Sequence, residues 1–217
     1  MHPNRAFAAD QETALRLVQA RPFAAVTAWT GEGLVTVQTP LIPVFGQGGA
    51  LSGFEGHLAR ANRFYAALQD RGSVHATAVF FGPDAYVSPS YYPSKALTGR
   101  VVPTWNYLTA EAEGELQIHD DPGIVRAILD RQAAAFEAGL ASVNEAWRVA
   151  DAPQDYITPM MRAIAGVSLR VTRFEATKKL GQNKTGADFK GVLEALAARE
   201  DPGARGVAAL MTELERG

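Results

Sequence analysis

Cysteine is missing from this sequence of 217 residues. The chain therefore has no disulfide framework, no thiolate nucleophile and no zinc site built on sulfur. Its four histidines, His2, His57, His75 and His119, are far apart and show no HExxH or other short ligand spacing, so no metal site is expected. The sequence also lacks a GxSxG nucleophile elbow, a Walker loop and a strand-linked GxGxxG.

Long apolar runs and excess charge are missing as well. No segment approaches the roughly 20 apolar residues of a membrane span, and the opening MHPNRAFAADQE lacks the apolar stretch of a signal peptide. We therefore expect a cytoplasmic protein with no membrane partner. The net charge of −2 supplies no global positive field of the kind that attracts nucleic acid. Any contact with DNA would need a local basic patch.

The composition, 47% apolar and 20% charged, suits a protein with a sizeable core. We expect residues 1–217 to form one domain with a helical extension from about residue 185. Strand-like runs alternate with turns through the first half of the chain, and helical periodicity appears at 10–20, 121–136 and in the tail. Leu58, Ala61, Tyr65 and Leu68 predict a further helix that ends at Gly72. This order favours an antiparallel barrel with added helices over a doubly wound sheet.

Residues 80–107, FFGPDAYVSPSYYPSKALTGRVVPTWNY, combine β-prone runs with a segment rich in proline, glycine and serine. Aromatic rings with polar ends suit a planar ligand, because the rings stack on its faces and the polar groups fix its orientation. The alternative is a buried strand pair in which the same rings only fill the core. The aromatic residues are Tyr86, Tyr91, Tyr92, Trp105 and Tyr107.

Two further clusters carry positive charge. The segment GHLARAN places His57, Arg60 and Asn62 where a strand is predicted to end and a helix to begin, a position that favours an anion such as phosphate. The segment KKLGQNK brings three lysines and two amides together around Gly181, and charge-assisted hydrogen bonds from them suit phosphate or carboxamide edges. In both places the alternative is a solvated surface without a ligand.

Taken together, the segments resemble one family. HPNRAF, GHLARAN, FFGPDAYVSPSYYPSK, VPTWNY, DAPQDYI and KKLGQNK occur in the order seen in PaiB-type proteins, which are described as FMN-binding negative transcriptional regulators, and the likeness extends to about Gly191. The chain differs where Gly181 stands in place of the usual serine of KLSQN. The resemblance implies a mainly β fold with α additions: the antiparallel split β-barrel of the pyridoxamine-phosphate-oxidase-like flavoproteins, with helices inserted and at the C-terminus.

The resemblance also implies a cofactor, a partner and a set of contacts. FMN would bind at the interface of a homodimer, with its phosphate on the strand-to-helix segment, its ring against the aromatic stretch, and the segment after the last strand contributed by the partner subunit. The implied FMN-binding residues are His57, Arg60, Asn62, Tyr86, Val87, Ser88, Thr104, Trp105, Asn106, Gln182, Asn183 and Lys184.

Two functions agree with this resemblance. The first is a flavin-binding homodimer that represses transcription, with Lys178, Lys179, Lys184 and Lys190 as the best local patch for DNA. No helix-turn-helix pattern supports tight DNA contact. The second is a flavin-dependent oxidoreductase that uses NAD(P)H on a small molecule. Since flavin itself carries the electron chemistry, the lack of an obvious acid–base residue does not exclude an enzyme, and the sequence leaves this choice open.

Overall fold

A computed structural model describes residues 5–140, 145–184 and 186–216, with side chains up to Leu214. Strands provide most of its regular structure in the first part of the chain, and three of them are longer than 12 residues. The strands are β1 Ala8–Ala9, β2 Phe23–Trp29, β3 Leu34–Phe45, β4 Leu51–Ala59, β5 Val74–Val87, β6 Thr104–His119 and β7 Ile164–Lys179.

Helices lie between the strands and after the last one. Asp10 accepts a hydrogen bond from the backbone N–H of Thr13, and Asp121 accepts two from the start of the following helix, so an acidic residue caps the start of each helix. The helices are α1 Gln11–Ala20, α2 Arg63–Leu68, α3 Ser94–Thr98, α4 Pro122–Glu137, α5 Gln154–Arg162, α6 Gly186–Ala197 and α7 Pro202–Arg216.

The strands form one antiparallel sheet in the order β1-β7-β4-β3-β2-β5-β6, and β6 also pairs with β7. This additional pairing closes the strand order on itself, which removes most of the exposed sheet edge. The hairpin of β2 and β3 is fully in register from Phe23 opposite Pro40 to Trp29 opposite Leu34. The predicted antiparallel split barrel with added helices is confirmed.

One predicted element differs from the structure. The long helix expected over residues 56–72 is reduced to the six residues of α2, because His57 and Leu58 belong to β4. Leu58 is buried in the strand and pairs with Ala165, so its apolar character reports a sheet position. An apolar residue at this spacing fits either a helix or a strand, and only the tertiary pairing decides between them.

The chain divides into two compact units. One, which we call the terminal unit, contains residues 1–17, 81–110 and 175–217; the other, the central unit, contains residues 18–80 and 111–174. The expectation of a single domain with an extension stays a prediction.

The core of the central unit includes three phenylalanine rings. Phe54 and Phe80 are almost completely buried, with ring centroids 5.3 Å apart, and Phe174 lies 5.4 Å from Phe54. On the same strand as Phe54, Gly56 allows close packing, since a Cβ there would lie 2.5 Å from the carbonyl oxygen of Pro40. This part of β4 therefore has little freedom to shift, and it leads directly to Arg60.

The core of the terminal unit is built largely by the last two helices. Val192 and Leu196 of α6 and Val207 and Met211 of α7 are buried in one cluster with Val87 of β5. The helical periodicity of the tail corresponds to these two helices, which are separated by residues 198–201. Within the described residues, none of the helices has the length and apolar character that crossing a membrane requires.

Candidate functional site

Arg60 follows the end of β4 and is held in one orientation. Its Nε donates to the carbonyl oxygen of Ile164 at 2.9 Å, and its Nη1 donates to the Tyr65 hydroxyl at 2.5 Å. Nη1 also lies 2.5 Å from Oδ1 of Asp120, with which it forms an ion pair. Within the described residues Nη2 forms no hydrogen bond, so this fixed guanidinium keeps donors for an anion.

Tyr65 completes this corner of the central unit. Its ring lies 5.1 Å from the guanidinium carbon of Arg60, and its hydroxyl donates to Asp120 at 3.1 Å. Burial, followed by the hydrogen bond to Asp120, raises the pKa of Tyr65 above its ordinary value of 10.0. The phenol therefore stays neutral at physiological pH and remains a donor that positions the carboxylate.

The other two predicted phosphate contacts have structural partners. His57 Nδ1 lies 2.6 Å from Oε1 of Gln132, whose Nε2 donates to the carbonyl oxygen of Pro40 at 3.0 Å. Asn62 caps α2 by accepting a hydrogen bond from the Phe64 N–H at 2.9 Å. Because α2 has only six residues, its dipole is a weak anion attractor, and the charge of Arg60 is the stronger feature of this corner.

An exposed aromatic pair marks the terminal unit. Tyr86 near the end of β5 and Trp105 near the start of β6 have ring centroids 6.1 Å apart and meet edge to face. Tyr86 is 42% exposed and Trp105 53% exposed, so much of each ring is open to a partner. Two exposed rings that lie together offer apolar surface on which a planar ligand can stack.

Lys179 lies against this aromatic pair. Its Nζ donates to the Thr104 hydroxyl at 2.5 Å and to the carbonyl oxygen of Trp105 at 2.6 Å. Burial, with a smaller contribution from nearby Lys184, lowers the pKa of Lys179 below its ordinary value of 10.5. The sequence placed Lys179 in a basic cluster but did not include it among the FMN contacts. Its amine is nonetheless fixed beside the two predicted residues Thr104 and Trp105.

Three predicted contacts of the same unit face inward or stabilise a turn. Val87 belongs to the buried cluster with α6 and α7. Asn106 is also buried, and its Nδ2 donates weakly to the sulfur of Met211 at 3.8 Å. Ser88 accepts a hydrogen bond from the Ser90 N–H and so caps the short turn at Pro89–Tyr91. Val87 and Asn106 directly follow Tyr86 and Trp105 in the chain, so their burial fixes the strand positions from which the two exposed rings project.

The segment after β7 folds on itself. Gln182 accepts from the Leu180 N–H at 2.7 Å and donates to the carbonyl oxygen of Lys178 at 2.5 Å, so both ends of its amide are used within the turn. Asn183 and Lys184 are exposed, and the Lys184 amine lies 5.0 Å from the ring centroid of Tyr92. Gly181 has φ of +81°, a conformation that favours glycine over the serine usual in the family.

The structure thus gathers the predicted residues into two groups. His57, Arg60 and Asn62 belong to the central unit, and the other nine belong to the terminal unit. Sequence reasoning missed Tyr65 and Asp120, the partners of Arg60. The sequence does contain a signal for Asp120. Capping of α4 explains Asp121 but does not explain the second acidic residue, Asp120, directly before it.

The chemistry of each group fits part of an FMN molecule. A guanidinium with unused donors suits the phosphate, and exposed aromatic rings with a hydroxyl and an amine beside them suit a planar, polar-edged ring system. The fold defines the class of protein, an antiparallel split barrel. Its central unit has an arginine corner, formed by Arg60, Tyr65 and Asp120, and its terminal unit has an aromatic wall, formed by Tyr86 and Trp105.

Comparison with protein families gives the identification. Residues 1–173 match the family described as "Putative FMN-binding domain". The chain belongs to this family, and FMN is its cofactor.

Curated relatives agree with the PaiB resemblance. The Bacillus subtilis protein named Protease synthase and sporulation protein PAI 2 is 28% identical over 167 residues, which cover 73% of this chain and 71% of that protein. An uncharacterised protein of Aspergillus fumigatus is 30% identical over 166 residues, 64% of each chain. Another from Emericella nidulans is 28% identical over 159 residues, 64% of this chain and 63% of its own. This chain thus spans just under two thirds of the length of the two fungal relatives.

Solved structures agree with the fold. The FAD and heme binding protein from Mycobacterium smegmatis has a TM-score of 0.55 at 14% identity, covering 83% of this chain and 77% of that one. The flavocytochrome Anf3 from Azotobacter vinelandii has a TM-score of 0.53 at 16% identity, covering 87% and 78%. At these identities the likeness concerns the fold alone.

Proposed function

We propose that the protein acts in the cytoplasm as an FMN-binding homodimer that represses transcription. The observation that carries the flavin part is the exposed Tyr86–Trp105 pair, with Thr104 and Lys179 beside it. Its rings offer stacking surface, and the hydroxyl and amine offer hydrogen bonds to the polar edge of an isoalloxazine. FMN supplies the electron chemistry, and the chain's residues bind and orient it.

Arg60 is the proposed phosphate contact. Its bonds to Ile164, Tyr65 and Asp120 fix the guanidinium before any ligand arrives, which lowers the entropy cost of binding. Asp120 partly neutralises the guanidinium, so a dianionic phosphate would compete with this carboxylate for it. His57 and Asn62 support the same corner through their contacts with Gln132 and α2.

The amides and lysine after β7 have a more limited proposed role. Asn183 and Lys184 are exposed and suit a contact with flavin in the partner subunit. Gln182 has both ends of its amide occupied within its turn, so we propose that it shapes the segment for these two neighbours. We propose a structural role for three of the predicted contacts: Val87, Ser88 and Asn106 fix the ends of β5 and β6 that contain Tyr86 and Trp105.

Apolar exposure on the β2–β3 hairpin supports a homodimer. Phe23, Trp29 and Leu34 are large, apolar and more than half exposed, and Trp29 lies directly opposite Leu34. Contact with a second copy would remove this surface from water. Sizing chromatography coupled to light scattering measures the state, and a monomer at micromolar concentration would contradict the dimer.

Support for repression comes from the PaiB resemblance and from the similarity to PAI 2. The basic patch for DNA is small: Lys190 lies 4.0 Å from the carboxylate of Glu194, which opposes its charge, and the Lys179 amine is held by Thr104. Support for repression therefore requires a mobility-shift experiment in which the protein retards the DNA upstream of its gene and does not retard unrelated DNA. A shift that disappears with modest added salt and ignores sequence would contradict repression.

Lys179 also favours a second function, that of an NAD(P)H-dependent oxidoreductase. An amine fixed beside the aromatic wall would place positive charge near a bound flavin and favour its acceptance of electrons. Anaerobic addition of NADH or NADPH to the flavin-loaded protein should then bleach the yellow colour. Unchanged absorbance with both nucleotides would leave the regulator as the better proposal.

The flavin site is tested by comparing FMN with riboflavin, which lacks the phosphate. Arg60→Ala should weaken FMN binding at least about tenfold, because a charge-assisted contact is lost, and should leave riboflavin binding nearly unchanged. Arg63→Ala, an exposed arginine three residues away, is the matched control. Fluorescence titration measures both ligands. Equal losses for FMN and riboflavin would show that Arg60 acts on the fold and not on the phosphate.

Trp105→Ala tests the aromatic wall. Loss of a stacking ring should weaken both flavins by about tenfold, since the ring and not the phosphate is affected. Trp147→Ala removes another half-exposed tryptophan, on the central unit, and serves as the control. Equal affinity of the Trp105→Ala variant and the unchanged protein would remove Trp105 from the site.

A further inference from the structure

A cavity of about 400 Å³ lies between α4 and α5 in the central unit. Its wall includes Arg126 of α4, Arg162 of α5 and, at one side, Arg60 with Asp120. A volume of this order falls within the range of small-molecule sites, and three arginines line it. None of the residues contributed by α4 and α5 belongs to the set that the PaiB resemblance assigns to FMN.

The charges around the cavity do not balance. Arg60 is paired with Asp120, and Arg126 is paired with Asp130 at 3.0 Å. Arg162 forms no ion pair within the described residues. One guanidinium is thus in excess even when both pairs are counted, so the cavity attracts anions.

The remaining wall shows what else the ligand must carry. Val125 of α4 is buried and Met161 of α5 is half-buried, and both contribute apolar surface. Gln154 and Thr158, one helical turn apart on α5, add hydrogen-bonding groups. A bare inorganic ion would use only the guanidinium groups and would leave the apolar wall in contact with water.

We infer that this cavity is a second ligand site, separate from the flavin site, for a small organic anion. The oxyanion group, a phosphate or a carboxylate, binds Arg162 and Arg126, and a short apolar body covers Val125 and Met161. Arg60 borders the cavity but is already paired with Asp120, so it is not one of the two proposed anion contacts.

Calorimetry in phosphate-free buffer tests the site on the full chain. Inorganic phosphate and phenyl phosphate carry the same oxyanion, and only phenyl phosphate has an apolar body. Both should bind, with phenyl phosphate tighter by about fivefold or more because its ring covers apolar surface. Arg162→Ala should weaken both by about tenfold, whereas the Arg63→Ala control should bind as the unchanged protein does. The inference would be overturned if neither inorganic phosphate nor phenyl phosphate binds at concentrations up to roughly 1 mM.

The flavin-loaded protein distinguishes a second site from the phosphate end of the flavin site. Phenyl phosphate should still bind when the protein is saturated with FMN, and Arg162→Ala should change FMN affinity by less than about twofold. Loss of phenyl phosphate binding with FMN but not with riboflavin would show that the phosphate of FMN fills the cavity, and would overturn the inference. If the protein binds neither flavin, the proposed flavin site fails while the effect of Arg162→Ala on phenyl phosphate still decides the second site.

Discussion

The arginine corner of the central unit and the aromatic wall of the terminal unit prepare for a ligand in opposite ways. At the corner, the polar group already has protein partners: Arg60 binds Tyr65 and Asp120. At the wall, polar groups such as Asn106 and Gln182 are used internally, and the apolar rings of Tyr86 and Trp105 are left exposed. A partly buried charge is stabilised by a partner in the free protein, whereas an exposed ring needs none.

This difference gives a rule for assigning roles in the two units. At the aromatic wall, Tyr86 and Trp105 lie together and are exposed, so both rings are available to a planar ligand. A polar side chain with satisfied partners indicates structure first, and only its unused donors are available to a ligand. The predictions below test how far the two units differ in this respect.

The largest effect is expected in the core of the central unit. Phe54→Ala should lower the free energy of unfolding by about 3–5 kcal/mol, because it removes a ring that is 99% buried against two other rings. Urea unfolding followed by fluorescence measures the loss. Trp29 and Trp147 lie in the central unit and Trp105 in the terminal unit. In a background that keeps only Trp105, an unfolding midpoint unchanged by Phe54→Ala would show that the units unfold separately.

Phe45→Ala is the control for that experiment. Phe45 lies on β3 and is exposed, so its removal should cost less than about 1 kcal/mol. Similar losses for Phe54→Ala and Phe45→Ala would contradict the description of the central core.

A second prediction compares two arginines of α4 that form ion pairs, Arg131 with Glu55 of β4 and Arg126 with Asp130 of α4. Glu55 is 6% exposed, and Arg131 binds it through both Nε and Nη2, the latter at 2.7 Å. Arg131→Ala should lower stability by about 1–3 kcal/mol, because it leaves a buried carboxylate without its cation; the value is below that of a fully buried pair because Arg131 is 53% exposed.

Arg126→Ala supplies the matched control on the same helix, since its pair with Asp130 is at the surface and should contribute about 0.5 kcal/mol. Thermal and urea unfolding compare the two variants. The double variant Glu55→Gln with Arg131→Ala should recover part of the loss, and an equal loss in both single variants would contradict the assignment of Glu55 to the interior.

A third prediction separates structure from binding in the terminal unit. Gln182→Ala should lower stability by about 1 kcal/mol, because the Leu180 N–H and the Lys178 carbonyl lose their partner. FMN affinity should change by less than about twofold. Asn183→Ala is the comparison: because its amide is exposed, its removal should change stability less than Gln182→Ala does. A large loss of FMN affinity in Gln182→Ala without loss of stability would make Gln182 a direct contact after all.

The smallest effect is a pH dependence in the central unit. Burial lowers the pKa of His119 below its ordinary value of 6.5, with Glu55 and Asp120 acting in the opposite direction, and its Nε2 lies 2.7 Å from the Ser168 hydroxyl. Between the folded pKa and 6.5, the unfolded chain binds more protons than the folded one. Stability should therefore fall as the pH drops through 6.5, and the loss should be complete below the folded pKa.

His119→Gln should reduce this dependence, and His75→Gln, at a histidine that is 63% exposed, is the comparison variant. Urea midpoints at pH 7.5 and 5.5 measure both variants. The same slope in His119→Gln as in the unchanged protein would show that another group is responsible.

Local patterns in the sequence predicted most of the fold. The β2–β3 hairpin, α4 with its cap at Asp121 and the two tail helices follow from short-range alternation, capping residues and glycine or proline at the turns. The helix expected over residues 56–72 was too long, because the position of Leu58 fits the period of a helix as well as that of a strand. Pairing of β4 with β7 places Leu58 in a strand. Such pairing joins residues more than 100 positions apart and leaves no local signal.

The sequence by itself determined the residue types of the flavin site: a strand-to-helix arginine, an aromatic stretch and a basic turn. Their order along the chain was enough for the family resemblance, because the motifs are local. Only the tertiary structure decided which of these groups are exposed and which are engaged, since partners such as Asp120 for Arg60, Met211 for Asn106 and Thr104 for Lys179 come from distant segments. Burial and pairing belong to the folded chain, and no short pattern encodes them.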